Sequence, residues 1–153
     1  MKTAYKVLAY LIALEVMVQA AAIAFAFFGL GKWIDDGGTL DKAALDSQDL
    51  EFTGVIGFMI HGLNGMMIIP AIALIFLIFS FFAKIPGGAK WAAFVLLSVV
   101  VQVSLGIFGH ETPELAPLHG VNALILFSLA VMAGMRVSRV TATTDSPQER
   151  ELV

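Results

Sequence analysis

Four stretches of this chain, at 5–30, 53–83, 90–109 and 116–137, are almost wholly apolar. A helix rises about 1.5 Å per residue, so about 20 such residues cross a hydrocarbon core of about 30 Å. Lipid offers no hydrogen bonds to the backbone, which leaves the helix as the natural form for single runs of this length. Charged residues make up 14% of the chain, against about 25% in soluble domains. The expectation is an all-α integral membrane protein: an up-down-up-down four-helix transmembrane bundle over residues 1–140, followed by a polar cytoplasmic tail, 141–153.

Details within the runs refine this. The first begins with Lys2 and Lys6, as a signal peptide would. Its apolar stretch far exceeds the roughly 7–15 residues of a signal core, so a retained anchor is expected. The second run is too long for an untilted span, and Pro70 within it lacks a backbone donor, which predicts a kink. The outer stretch 31–52 is the one long connection. Its "TLDKAALDSQ" predicts a short surface helix capped by Thr39.

Charge sets the expected orientation. Lys2, Lys6, Lys84, Lys90, Arg136 and Arg139 flank the runs on one side. The other side carries Asp35, Asp36, Asp41, Asp46, Asp49, Glu51, Glu111 and Glu114, with only Lys32 and Lys42. The positive-inside rule then places both termini in the cytoplasm of a bacterial plasma membrane. Trp33 and Trp91 fall where interfacial aromatic anchors belong.

A repeat runs through the apolar segments. "HGLNG" at 61–65 and "HGVNA" at 119–123 share the pattern His-Gly-x-Asn-small, and two of the chain's three histidines open them. "VMVQ" (16–19) and "VVVQ" (99–102) repeat in the first and third runs. The ordered matches predict two similar helix pairs about a pseudo-two-fold axis along the membrane normal. Helix rise places His61 roughly 10–12 Å, and His119 roughly 5 Å, below the outer ends of their helices. Gln19, Asn64, Gln102 and Asn122 fall in the same layer or near the midplane, with Glu15 deeper.

Polar side chains in lipid are costly and face a bundle interior or cavity. For Gln19, Gln102, Asn64 and Asn122, interhelical hydrogen bonding alone is one explanation. Two histidines at similar depth on non-adjacent helices suggest more, since a pair of imidazoles can hold a haem iron. Each Asn then lies one turn from its His. Gly62, Gly65, Gly120 and Ala123 leave the backbone bare for a flat porphyrin, or simply allow close helix packing. A proton-handling pair or another metal are the alternatives for His61 and His119. His110, beside Glu111, is expected as a solvated anchor, with a haem propionate contact or proton transfer as alternatives. Glu15 lacks an obvious basic partner; hydrogen bonding to Gln19 or Gln102, or a proton relay, would account for it. The absence of cysteine excludes disulfides, thiolate metal sites, iron–sulfur clusters and a C-x-x-C-H haem attachment.

The stretch "WAAFVLLSVVVQVSLGIFG…LAPLHGVNALILF" resembles one four-helix half of haem A synthase. Gln102, Leu105-Gly106 and Leu118-His119 match that family's third and fourth helices, Ala123 fits the small position, and His61 matches the second-helix histidine. The likeness covers roughly 55–135, one half of the two that the family has. It implies haem held between the second and fourth helices near the outer face. The family's catalytic Glu-x-x-His-Arg is not kept, since Phe58, His61 and Gly62 stand there, so its hydroxylation chemistry does not carry over. The chain is also similar to small four-helix membrane proteins of bacteria.

The expected function is therefore a b-type haem-binding membrane protein with one bis-histidine haem b, an electron-transfer module or subunit rather than a stand-alone enzyme. It would exchange electrons with a quinone or a larger redox complex; no nucleic-acid partner is expected. A non-haem structural or assembly subunit and a small proton-coupled transporter are the alternatives.

Overall fold

The computed structural model describes residues 1–47 and 50–144, with side chains described for 1–45 and 50–137. Every regular element among them is helical: α1 (Lys2–Asp35), α2 (Lys42–Ser47), α3 (Ile56–Leu63), a π-helical segment (Asn64–Ile68), α4 (Ile69–Phe82), α5 (Gly88–Gly109), a 3₁₀ turn (Pro113–Leu115) and α6 (Ala116–Thr144). Four helical stretches are long and apolar enough to cross a membrane: Lys2–Asp35, Ile56–Phe82, Gly88–Gly109 and Pro113–Val137. Large apolar side chains stand exposed along all four, including Phe28, Phe81, Leu97 and Leu124 at 60% or more. Surface of that kind is consistent with lipid contact.

Two compact units make up the chain. The first comprises 1–16 and 69–153, the second 17–68.

In the first unit, Tyr5, Ile12, Phe76, Val95, Val99 and Leu126 fill the core. Between them lie Ala9, Ala13, Ala73, Ala92, Ala130 and Ala133, also buried. Alanines at these positions let helix backbones approach, which matters where lipid gives no hydrophobic drive to association. The Tyr5 ring packs 4.6 Å from that of Phe76, and its hydroxyl donates to Gly88 O at 3.1 Å. The turn at 83–87 uses two residues with positive φ, Lys84 at 53° and Gly87 at 69°. Gly87 precedes α5 without any side-chain cap. Arg136 of α6 secures the turn instead. Its Nη2 donates to Pro86 O at 3.1 Å, and the guanidinium lies 5.3 Å from the Trp91 ring centre.

In the second unit, the later part of α1 packs antiparallel on α3. A side chain on Gly57 would run into the Ala22 carbonyl, so the close approach depends on glycine. Phe27 and Phe52 meet Phe58 edge-on at 5.3 and 6.3 Å. Helix α1 outlasts its apolar run and stops at a Schellman motif: Gly37, at φ 100°, donates to Ile34 O, and Gly38 to Trp33 O. The surface helix expected in the long loop is α2, but its cap differs. Asp41 Oδ1, not Thr39, accepts from the Ala44 N–H at 2.8 Å, three residues on, as an N-cap does.

The tail expected from 141 begins inside α6, which continues to Thr144. The remainder, 145–153, lies outside the described residues, as do the side chains of Asp46, Asp49 and Arg139.

Candidate functional site

Each unit contains one of the two pentads, and each pentad meets a glutamine on the neighbouring helix. In the first unit, α5 supplies Ser98, Gln102 and Gly106 at intervals of four, hence on one face. His119 and Asn122 of α6 face them. His119 Nδ1 lies 3.2 Å from the backbone O of Gln102. Asn122 Nδ2 donates to Gln102 Oε1 at 2.7 Å and to Ser98 O at 2.9 Å, and Ser98 Oγ donates to Asn122 Oδ1 at 3.3 Å. The imidazole rests on Gly106, where a Cβ would stand 3.3 Å from His119 Cε1.

A carbonyl oxygen only accepts. With its proton on Nδ1, His119 donates to Gln102 O and keeps the ring lone pair on Nε2. This is the tautomer in which a histidine binds a metal through Nε2, steadied by a hydrogen bond from its other nitrogen.

In the second unit the same pieces recur. His61 Nδ1 lies 3.2 Å from the backbone O of Gln19. The Gln19 amide is oriented by two backbone groups. With its amide oxygen and nitrogen exchanged, as these neighbours require, its NH2 end donates to His61 O at 3.0 Å, and its oxygen accepts from Gly65 N at 3.0 Å and from Asn64 Nδ2 at 3.1 Å. In an α-helix His61 O and Gly65 N–H would bond each other. Gln19 inserts between them, and the helix winds as π over Asn64–Ile68. Insertion of a polar side chain into the helical ladder is a known cause of such distortion. The irregularity thus lies at Asn64–Ile68, just before Pro70, where the sequence predicts a kink. Pro70 also withholds the N–H that Met66 O would otherwise receive.

The clamps differ at one point. The Gln19 NH2 that meets His61 O also lies 2.7 Å from His61 Nδ1. Beside His119, the Gln102 amide instead turns its oxygen to Asn122.

The residues expected from sequence thus fall into two groups, Gln19 with His61, Asn64 and Gly65, and Gln102 with His119 and Asn122. A Cβ at Gly62 or Gly120 would meet nothing within 4 Å, so space lies open beside each histidine. Ala123 is half-buried. His110 stands exposed at the C-terminal end of α5, two turns past Gln102. Glu15 is half-buried, four residues before Gln19 as Ser98 is four before Gln102. Among the described residues, no group of three or more His, Cys, Asp or Glu gathers to hold a bare metal ion. Ser98 escaped the sequence reading; its position one turn before Gln102 was the signal that marks it.

Comparison with family models, curated proteins and solved structures finds no match for this chain.

Proposed function

We propose that this chain is a multi-pass protein of a bacterial plasma membrane that binds one haem b, which His61 and His119 would hold. The duplicated clamp carries the reading: two histidines, each with Nδ1 3.2 Å from the backbone carbonyl of a glutamine on an adjacent helix. An imidazole whose Nδ1–H donates to such a carbonyl is oriented for metal ligation through Nε2 and made more basic. The donor set fits the group, because a porphyrin supplies four ligands to its iron and asks the protein for two at most. The open space at Gly62 and Gly120 and the likeness to half of haem A synthase support it further.

The topology that goes with this reading is up-down-up-down with both termini cytoplasmic, in keeping with the Lys and Arg asymmetry. Bound haem would supply one-electron redox chemistry. The chain's own part is to hold the two imidazoles, exclude water with apolar helices and satisfy the ligands through Gln19, Gln102, Asn64 and Asn122. A quinone or a larger redox complex would exchange the electrons.

The test is the full chain purified in detergent from haem-replete cells. One haem per chain, with sharp b-type bands in the reduced-minus-oxidised spectrum, is expected. A folded, colourless protein that also refuses added haemin refutes the reading, and leaves the clamps as interhelical hydrogen bonding in a structural subunit.

A further inference from the structure

In the first unit, an apolar groove of about 330 Å³ opens beside the start of α1 and the end of α4, walled by Met1, Ile78, Phe79 and Phe82. Tyr5, one turn into α1, donates to Gly88 O just past the turn at 83–87, so the start of α1 is held at the same end as that turn. A lysine adjoins each side of the groove: Lys2 follows Met1, and Lys84 stands two residues past Phe82. Both are exposed, and neither is ion-paired among the described residues.

Lys84 stands at φ 53°, a left-handed conformation that strains any residue with a Cβ. Glycine takes it freely, as Gly87 does at 69° in the same turn. The helix dipole favours a cation at the end of α4, which accounts for the charge of Lys84 but not for the apolar groove beside it. The same end carries Lys6, Lys90 and Arg136. Arg136 is engaged with Pro86 O and Trp91, and Lys90 lies over the Phe94 ring. Among the described residues of this unit no carboxylate opposes these cations. Glu111 and Glu114 follow the far end of α5, and Glu15 lies about 20 Å along α1 from Lys2.

We propose that this groove, with Lys2 and Lys84, binds one anionic phospholipid: an acyl chain lies along Ile78, Phe79 and Phe82, and the two ammonium groups hold the phosphodiester. Each part of that ligand matches one feature. Hydrocarbon rather than water fills an apolar groove, but hydrocarbon alone leaves the lysines without an anion. Free phosphate would meet the lysines and leave the groove empty. A zwitterionic headgroup brings its own ammonium, which this cationic end repels, so a net negative headgroup is selected. Lysine stems can lie along apolar surface while their heads reach the phosphate layer.

The test is native mass spectrometry of the full haem-free chain in detergent, titrated with phosphatidylglycerol or with phosphatidylethanolamine of the same chains. One phosphatidylglycerol should bind, severalfold more tightly than phosphatidylethanolamine. Lys2→Gln and Lys84→Gln should each weaken it about fivefold. Ile78→Trp, which fills the groove and keeps every charge, should abolish it. Lys84→Gly removes the charge and the strained conformation together, so it should weaken the lipid equally without lowering thermal stability. Lys90→Gln makes the same charge change at the same end and should bind as wild type does.

Equal affinity for the two lipids, or a Lys90→Gln protein weakened as much as Lys84→Gln, reduces the effect to general attraction by a basic end and overturns the site. Wild-type affinity in Ile78→Trp, or displacement of the lipid by inorganic phosphate at constant ionic strength, overturns the role of the groove. A dimer that Ile78→Trp dissociates gives the groove to a second copy and overturns the proposal as well. Haem-free protein serves throughout, so this reading and the haem reading fail separately.

Discussion

Gly106 is the seat of the His119 imidazole, and a single methyl there measures how closely the ring is held. A Cβ on Gly106 would lie 3.3 Å from Cε1 and 3.6 Å from Nδ1. Carbon atoms prefer about 3.5–4.0 Å, so the ring must retreat by a few tenths of an ångström. Its Nδ1 already stands 3.2 Å from Gln102 O, at the long edge of a good N–H···O bond. A further few tenths costs most of that bond, about 1 kcal/mol, or about fivefold in affinity. Gly106→Ala should therefore bind haem about fivefold more weakly in a haemin titration followed by absorbance. Gly106→Leu should abolish binding. Gly109→Ala is the control on the same helix, because a Cβ there meets nothing within 4 Å. A Gly106→Ala protein with wild-type affinity, or a Gly109→Ala protein equally weakened, would refute the argument that His119 leans on this glycine.

Three further outcomes are expected. Asn122→Ala removes two donated bonds and one accepted bond between α5 and α6; at about 0.6 kcal/mol each in a membrane, stability should fall by about 2 kcal/mol in reversible unfolding, against less than about 1 for Ser98→Ala, which spares the backbone acceptor. His119→Ala should lose haem or turn it high-spin and His61→Ala should turn it high-spin, whereas His110→Ala should keep the low-spin spectrum; a low-spin, fully loaded His61→Ala or His119→Ala protein excludes that residue as a ligand. A cysteine at exposed Thr39 should react with an impermeant thiol reagent in intact cells, and labelling only after the membrane is breached would reverse the orientation.

The long helices were legible because apolarity over 20 or more residues has few other outcomes. Their ends were less so. Hydropathy reports where lipid and core lie, whereas a helix continues until its hydrogen bonding is interrupted. Thus α1 runs past the apolar limit near residue 30 to the left-handed Gly37, and α6 runs on to Thr144. The loop helix was visible but not its cap, since both Thr39 and Asp41 have capping oxygens and only the backbone path selects Asp41. The polar residues could be grouped by depth. Their division into two glutamine–histidine clamps depends on which helices pack, and the acceptors are main-chain carbonyls that carry no signature in sequence. The π segment is least legible of all, because its cause is a side chain more than forty residues away.

The hold of Arg136 on the turn before α5 has a consequence in time. The turn leaves the ribosome fifty residues ahead of the guanidinium that secures it. At about 5–20 residues per second, Pro86 O waits several seconds for its donor, and Gly87 has no side-chain cap to bridge the interval. The order of synthesis therefore leaves this corner to be closed by the last long helix. A nascent chain arrested before residue 136 should expose a cysteine at position 85 to thiol reagents, and the finished chain, where Ile85 is 7% exposed, should protect it; equal reactivity in both would show that the corner closes without Arg136. Arg136 is in this sense a completion signal, reporting locally that α6 has arrived and packed.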